Sequence, residues 1–302
     1  KILSSHHQFL VKNEGEKNGE SKSELNADNF FKAFQQFLLE MLPVEETNNF
    51  LPDNYVSFYR FQKEYKAKCN LPQAKKWNAE ICWHAIRTFI KGYSSDGLMT
   101  PEDYVNIVSK KDRTISPEGF KEIYETIWQK WYQKLAEEEN YWDDQDLIRK
   151  VIKGNYYRSD YGAVFCDEAQ DFTKIELQLI MRLSLFSQYD LSQIPIISLP
   201  FAFAGDPLQT LNPTGFRWES VKAGFHDEII KALDSKGQLN INMNLQVLEF
   251  NYRSSSSIVG FINLIQLWRS VFFDLPELRA QKEWKKDDFP EPQKFIFSEK
   301  FH

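Results

Sequence analysis

The stretch Tyr161-Gly-Ala-Val-Phe-Cys-Asp167-Glu168-Ala-Gln170-Asp171 decides how the rest of the chain is read. A short apolar run ends abruptly in two adjacent acids, with a further acid at Asp171. Apolar residues leading straight into Asp-Glu predict a buried strand with carboxylates at its carboxyl end, where open α/β sheets bind ligands. At such a place one carboxylate can hold Mg2+ through a water shell while the next orients or deprotonates a water attacking a phosphate. The plainer reading of the same residues is a strand that ends in a solvated acidic turn. The pair alone does not decide between the two.

Downstream, the pattern alternates between strand and helix. Residues 161–166 read as a strand, and Ile175, Leu179, Leu183 and Phe186 form the apolar line of a following helix. Residues 201–204 read as a second buried strand and residues 245–250 as a third, before a helix carrying Ile258, Phe261, Ile262 and Ile265. Such alternation predicts a parallel sheet. Its three strand ends would bear Asp167-Glu168, Gly205-Asp206-Pro-Leu-Gln209 and Asn251-Tyr252-Arg253-Ser254 on one carboxyl edge. Together these offer a metal carboxylate, a water-orienting acid, an amide and an arginine, the parts that nucleoside-triphosphate hydrolysis uses.

These three segments resemble superfamily-1 helicases of the UvrD/Rep/PcrA type. Asp167-Glu-Ala-Gln-Asp171 is similar to their Walker B segment, Gly205-Asp-Pro-Leu-Gln209-Thr210 to their third motif, and Leu248-Glu-Phe-Asn251-Tyr252-Arg253-Ser254 to the fourth. The resemblance is specific between about residues 142 and 265. It implies an α/β fold, a RecA-like parallel sheet with flanking helices of the P-loop NTPase type, plus a mostly helical inserted subdomain. The implied domains are 1–54 (partial first RecA-like domain), 55–141 (helical insertion), 142–250 (remainder of the first domain) and 251–302 (start of the second). By the same resemblance Asp167 would hold Mg2+, Glu168 would be the base for the attacking water, and Gln209 would sense the γ-phosphate of ATP. Arg253 would be an arginine finger and Tyr252 would stack on adenine. Phe216 or Trp218 would stack on single-stranded DNA, or on the strand of a single/double-strand junction.

The residues themselves leave alternatives open. Gln170 and Asp171 are equally suited to cap the next helix, Phe216 and Trp218 to pack in a core, and Ser254–Ser257 to capping. Asp143-Asp-Gln-Asp146 reads as a helix start whose acids complement the dipole rather than as a metal site.

The rest of the chain is largely helical by pattern. Residues 29–42 carry apolar side chains at helical spacing up to Pro43, with Asp28 or Asn29 as N-cap. In the middle, Phe120, Ile123, Tyr124, Ile127, Trp128, Trp131 and Leu135 form one amphipathic stripe behind a Ser116-Pro117 start. That stripe predicts core, although so many aromatic rings also suit a base-stacking surface. A chain of 302 residues, 42% hydrophobic and 15% aromatic, has ample material for a core. A formal charge of −6 confines any nucleic-acid contact to a local groove. Cys69, Cys82 and Cys166 show no paired spacing and read as reduced, placing the protein in the cytoplasm, while no stretch is long and apolar enough for a membrane helix.

One necessary part is missing from the sequence. No Gly-x-x-x-x-Gly-Lys-Ser/Thr phosphate loop occurs. The expectation is therefore an inactive fragment of a 3′-to-5′ DNA helicase, an ATP- and Mg2+-dependent enzyme only when complete. The alternative is a non-catalytic nucleic-acid or protein-binding module on a degenerate helicase scaffold.

Overall fold

Short polar residues stand immediately before the helices of the middle region, and their side chains fix where each helix begins. The Ser57 hydroxyl accepts the Arg60 N–H (3.3 Å), the Asn78 carboxamide accepts the Ile81 N–H (2.9 Å), and Ser116 accepts the Gly119 N–H (3.1 Å). Thr100 with Asp103, and Asp143 with Asp146, form reciprocal capping boxes. Each cap satisfies N–H groups that the first helical turn leaves without a partner.

The structure, a computed structural model, describes residues 32–110, 112–187, 201–206, 218–230, 246–273 and 280–284. The chain divides into two units, Lys1–Ile241 and Asn242–His302. In the first, α1 (Phe34–Leu39), α2 (Val44–Thr47) and α3 (Phe58–Lys68) are followed by α4, a continuous helix over residues 79–91 whose second half, Ala85–Lys91, is wound as a π-helix. Next come α5 (Pro101–Ile107), α6 over residues 117–138, and α7 (Asp144–Lys153). Strand β1 (Val164–Cys166), α8 (Lys174–Arg182), β2 (Phe201–Phe203) and α9 (Trp218–Phe225), which His226–Ile230 continues as a π-helix, follow among the described residues. The second unit has β3 (Phe250–Asn251), α10 (Ser256–Phe273) and β4 (Lys282–Glu283).

The aromatic stripe on α6 lies in a core. Phe120, Ile123, Ile127 and Trp128 are buried there with Phe61, Trp83, Phe89, Tyr104 and Tyr132. Tyr104 and Phe120 stack at 4.0 Å, while Phe61 meets Trp83 at 4.9 Å and Tyr132 at 5.0 Å. These rings face one another, so they do not form a base-stacking surface. A second cluster packs α1, α7 and α8 through Leu38, Leu147, Val151, Ile175 and Leu179. The helix expected over 29–42 is described from Phe34 to Leu39; its proposed caps, Asp28 and Asn29, lie outside the described residues.

A buried ionic knot fastens α4 to α7. Lys91, with 6% of its side chain exposed, puts Nζ 2.6 Å from an oxygen of Asp143, which is 2% exposed, and also bonds Asp146. Arg149 adds donors to the carbonyls of Lys91 and Ser94. The helix start read at 143–146 is thus confirmed, and it doubles as the anion for a buried cation. Burial pushes the Lys91 ammonium down, but Asp143 and Asp146 outweigh it and hold its pKa above the ordinary value.

Asp144 sits beside this knot. Burial, then the charges of Asp143 and Glu176, push its carboxyl up to about 6 against the hydrogen bond from Tyr55 (3.2 Å). An unfolded aspartate titrates near pH ~4, so the folded state binds this proton more tightly. Its contribution to stability is complete below about pH 4 and lost as pH rises through about 6. Asp144→Asn should flatten that part of the profile and raise stability above pH ~6 by on the order of 1–2 kcal/mol, since the side chain is only part-buried. Urea titrations between pH 4 and 8 check it.

The expected RecA-like parallel sheet of P-loop NTPase type is corrected. Among the described residues, strands occur only as two separate two-stranded parallel sheets, β1–β2 and β3–β4, and the rest of the regular structure is helical. The apolar run before Asp167 yields only three paired residues, Val164 to Cys166 opposite Phe201 to Phe203. Phe165 between them is 76% exposed, so β1 is not enclosed between layers of helix as an α/β sheet strand must be. The third expected strand survives as Phe250–Asn251, in a different sheet from the first two.

Candidate functional site

Two of the three predicted strand ends do meet. Beyond β1 and β2 the Ala204 N–H donates to the Cys166 carbonyl and the Ala169 N–H to the Ala204 carbonyl, each at 2.8 Å. Buried Gln170 then bridges the pair: its Nε2 donates to Glu168 Oε2 (2.6 Å) and its Oε1 accepts the Asp206 N–H (3.0 Å). Gly205 is needed for this closeness, because a Cβ there would lie 2.6 Å from Gln170 Oε1 and 3.2 Å from the Ala169 nitrogen.

Within the clasp the acids serve the turn. Asp167 Oδ1 accepts the Glu168 N–H at 2.9 Å. Glu168 itself takes a left-handed backbone, φ 51°, which lets the chain reverse into the short turn Ala169–Asp171. Both acidic side chains are otherwise exposed. Among the described residues no group of three or more His, Cys, Asp or Glu side chains is gathered as a metal site would need. The arrangement is a polar clasp that locks two strand ends. Gln170→Leu should destabilise the protein by about 1–3 kcal/mol, because it removes at once the amide that donates to Glu168 and accepts from Asp206. Thermal unfolding measures it.

Of the remaining predicted site residues, Gln209 and Phe216 lie outside the described residues. Trp218 is half-buried at the first position of α9. Tyr252 and Arg253 are exposed in the second unit, where Asn251 Oδ1 accepts the N–H groups of Arg253 (3.0 Å) and Ser254 (2.8 Å). Gln170 and Asp171 do not cap α8. Thr173 precedes that helix, and its N–H donates to Glu176 (2.5 Å), which also receives Arg87 Nη2 at 3.0 and 3.1 Å.

One feature escaped the sequence reading. Ile258, Phe261 and Ile265, placed there on a helix without a face assigned to them, are exposed on α10 together with Trp268 and Phe272. They are spaced by three and four residues in turn, the seam spacing of paired helices. The opposite face holds the buried Val259, and Asn263 exchanges hydrogen bonds with the backbone of Gln281 before β4 (2.9 Å each). The signal was present as a sustained 3-4 repeat. Among the described residues no helix is long and apolar enough to cross a membrane.

Comparison with known proteins gives a different relation from the helicase motifs. No family model matches the chain. Over 238 residues, 74% of its length, it is 26% identical to TPR and ankyrin repeat-containing protein 1 of Homo sapiens, of which the match covers 8%. The identification with superfamily-1 helicases is therefore corrected, together with the ATP-driven translocase reading built on it. Three short motifs suggested it. The similar protein carries a repeat name, and among the described residues the strands that precede the motifs belong to two separate two-stranded sheets rather than one RecA-like sheet.

Proposed function

We propose that the chain is a helical protein-binding module without a catalytic step of its own, and that the outward face of α10 is its working surface. The observation that carries this reading is the exposed seam Ile258, Phe261, Ile265, Trp268 and Phe272, with Trp268 60% exposed. Soluble proteins rarely leave a contiguous apolar face of that kind uncovered unless it meets a partner. Its 3-4 spacing fits an amphipathic helix of another protein, whose own apolar stripe would interleave with these side chains. Arg269 is the sole charged residue of α10, so association here rests on apolar burial rather than on charge. The likeness to a TPR and ankyrin repeat-containing protein supports the same class, because stacked helical repeats build binding surfaces.

A photo-crosslinking amino acid placed at Ile265 tests it in cells. Discrete protein adducts are expected, lost when Phe261→Asp or Trp268→Asp is added. A crosslinker at Tyr59, exposed on α3, is the control; the same adducts from both positions would sink the proposal. The purified chain is also expected to show no ATP turnover with or without single-stranded DNA. Turnover that Glu168→Gln abolishes would restore an enzymatic reading.

A further inference from the structure

The second unit carries a cluster of three aromatic rings that neither the clasp nor the α10 seam uses. Phe250 and Tyr252 are two positions apart on the strand that becomes β3, so they project from the same face. Trp284, just past β4, joins them across the two-stranded sheet. The Tyr252 and Trp284 centroids are 4.7 Å apart at 44°, Phe250 and Trp284 are 6.0 Å apart at 85°, and Phe250 and Tyr252 are 6.4 Å apart at 54°. Rings in mutual contact normally hide one another, yet these are 41%, 61% and 56% exposed for Phe250, Tyr252 and Trp284. Leu248, two positions before Phe250, is also exposed.

We propose that this cluster docks a proline-rich peptide in the polyproline-II conformation, a ligand class that deepens the protein-binding reading and rests on it. Such a helix rises about 3.1 Å per residue with three residues per turn, presents flat pyrrolidine rings, and leaves its carbonyls without internal partners. The three rings touch one another, so it is their exposed outer faces that offer flat apolar ground on which pyrrolidine rings can lie, and an indole N–H or phenol O–H supplies donors to the ligand carbonyls. Charge favours the same ligand. Among the described residues the charged neighbours of the rings in sequence are Glu249, Arg253, Lys282 and Glu283, two acids and two bases, with Lys282 paired to Glu249 at 2.7 Å and lying over the Phe250 ring at 5.7 Å. The sequence continues past Trp284 with two lysines and two aspartates, which keeps the balance. A balanced rim suits an uncharged backbone, whereas a nucleic-acid strand needs a basic track beside its stacking rings.

The test titrates the whole chain into a fluorescently labelled proline-rich peptide, a Gly-Ser peptide of equal length, and an oligothymidylate. Saturable binding of the proline-rich peptide alone is expected, weakened about tenfold or more by Tyr252→Ala and by Trp284→Ala. Unchanged thermal transitions show that these variants fold. Tyr252→Leu keeps apolar bulk but removes the flat ring and hydroxyl, so it gives the same loss and guards against a folding defect. Phe261→Asp on α10 leaves peptide binding unaltered, which separates this site from the helix-binding face. Equal affinity for both peptides, undiminished binding by the ring variants, or salt-sensitive binding of oligothymidylate through these rings overturns the proposal.

Discussion

Lys91→Met is expected to lower the unfolding free energy by about 3–5 kcal/mol, enough to abolish folding if total stability lies at the low end for a domain. The reason lies in what remains. Asp143 keeps its buried position as N-cap of α7, but loses the ammonium at 2.6 Å that offsets its desolvation. Asp146 loses the same cation, leaving two carboxylates facing each other at a helix start. Removing both acids with the lysine should cost less than removing the lysine alone, because no uncompensated charge is then buried. Chemical denaturation of Lys91→Met beside a Lys91→Met, Asp143→Asn, Asp146→Asn variant measures the difference. A triple variant that loses as much stability as Lys91→Met, or more, would mean that no uncompensated charge is left when the lysine alone is removed.

Phe61→Ala is the second large effect, at about 3–5 kcal/mol. Phe61 is fully buried and touches the rings of Tyr65, Trp83, Trp131 and Tyr132, with centroids between 4.9 and 5.8 Å. Truncation removes both the burial of a large side chain and these edge contacts, and four surrounding rings are too rigid to close the cavity. Calorimetric unfolding reads the loss. Under a base-stacking reading of these rings the same change would cost little stability and abolish single-strand binding instead.

The local parts of the fold were legible because their causes are local. Ser116-Pro117 marks the start of α6, Asp143 that of α7, and the 3-4 spacing of Phe120, Ile123, Ile127 and Trp128 identifies the face that α6 buries. Periodicity says which side chains share a face, but not whether another element covers it. On α10 the same 3-4 spacing falls on side chains that are exposed rather than covered. The contacts of the acid at 168 were hidden for a related reason. Glu168 accepts from Gln170, whose second partner, Asp206, lies 36 positions away. Lys91 was equally opaque, since its partners are 52 and 55 positions distant and an isolated lysine reads as surface. The sheet was over-read because a motif fixes where a strand ends, not how many neighbours pair with it.

The clasp between the two strand ends also bears on how the chain reaches its native state. Residues 58–138 close mostly through neighbouring helices, contacts that a chain forms early and quickly. Parallel pairing of 164–166 with 201–203 must instead wait for a crossover to be brought round, and loop closure offers nothing until the Gln170 bridge is made. The clasp is thus expected to close late on the folding path. Weakening it should leave the refolding rate of the helical body nearly unchanged and show up as faster unfolding, so that this small sheet governs how long the native protein lasts rather than how fast it forms.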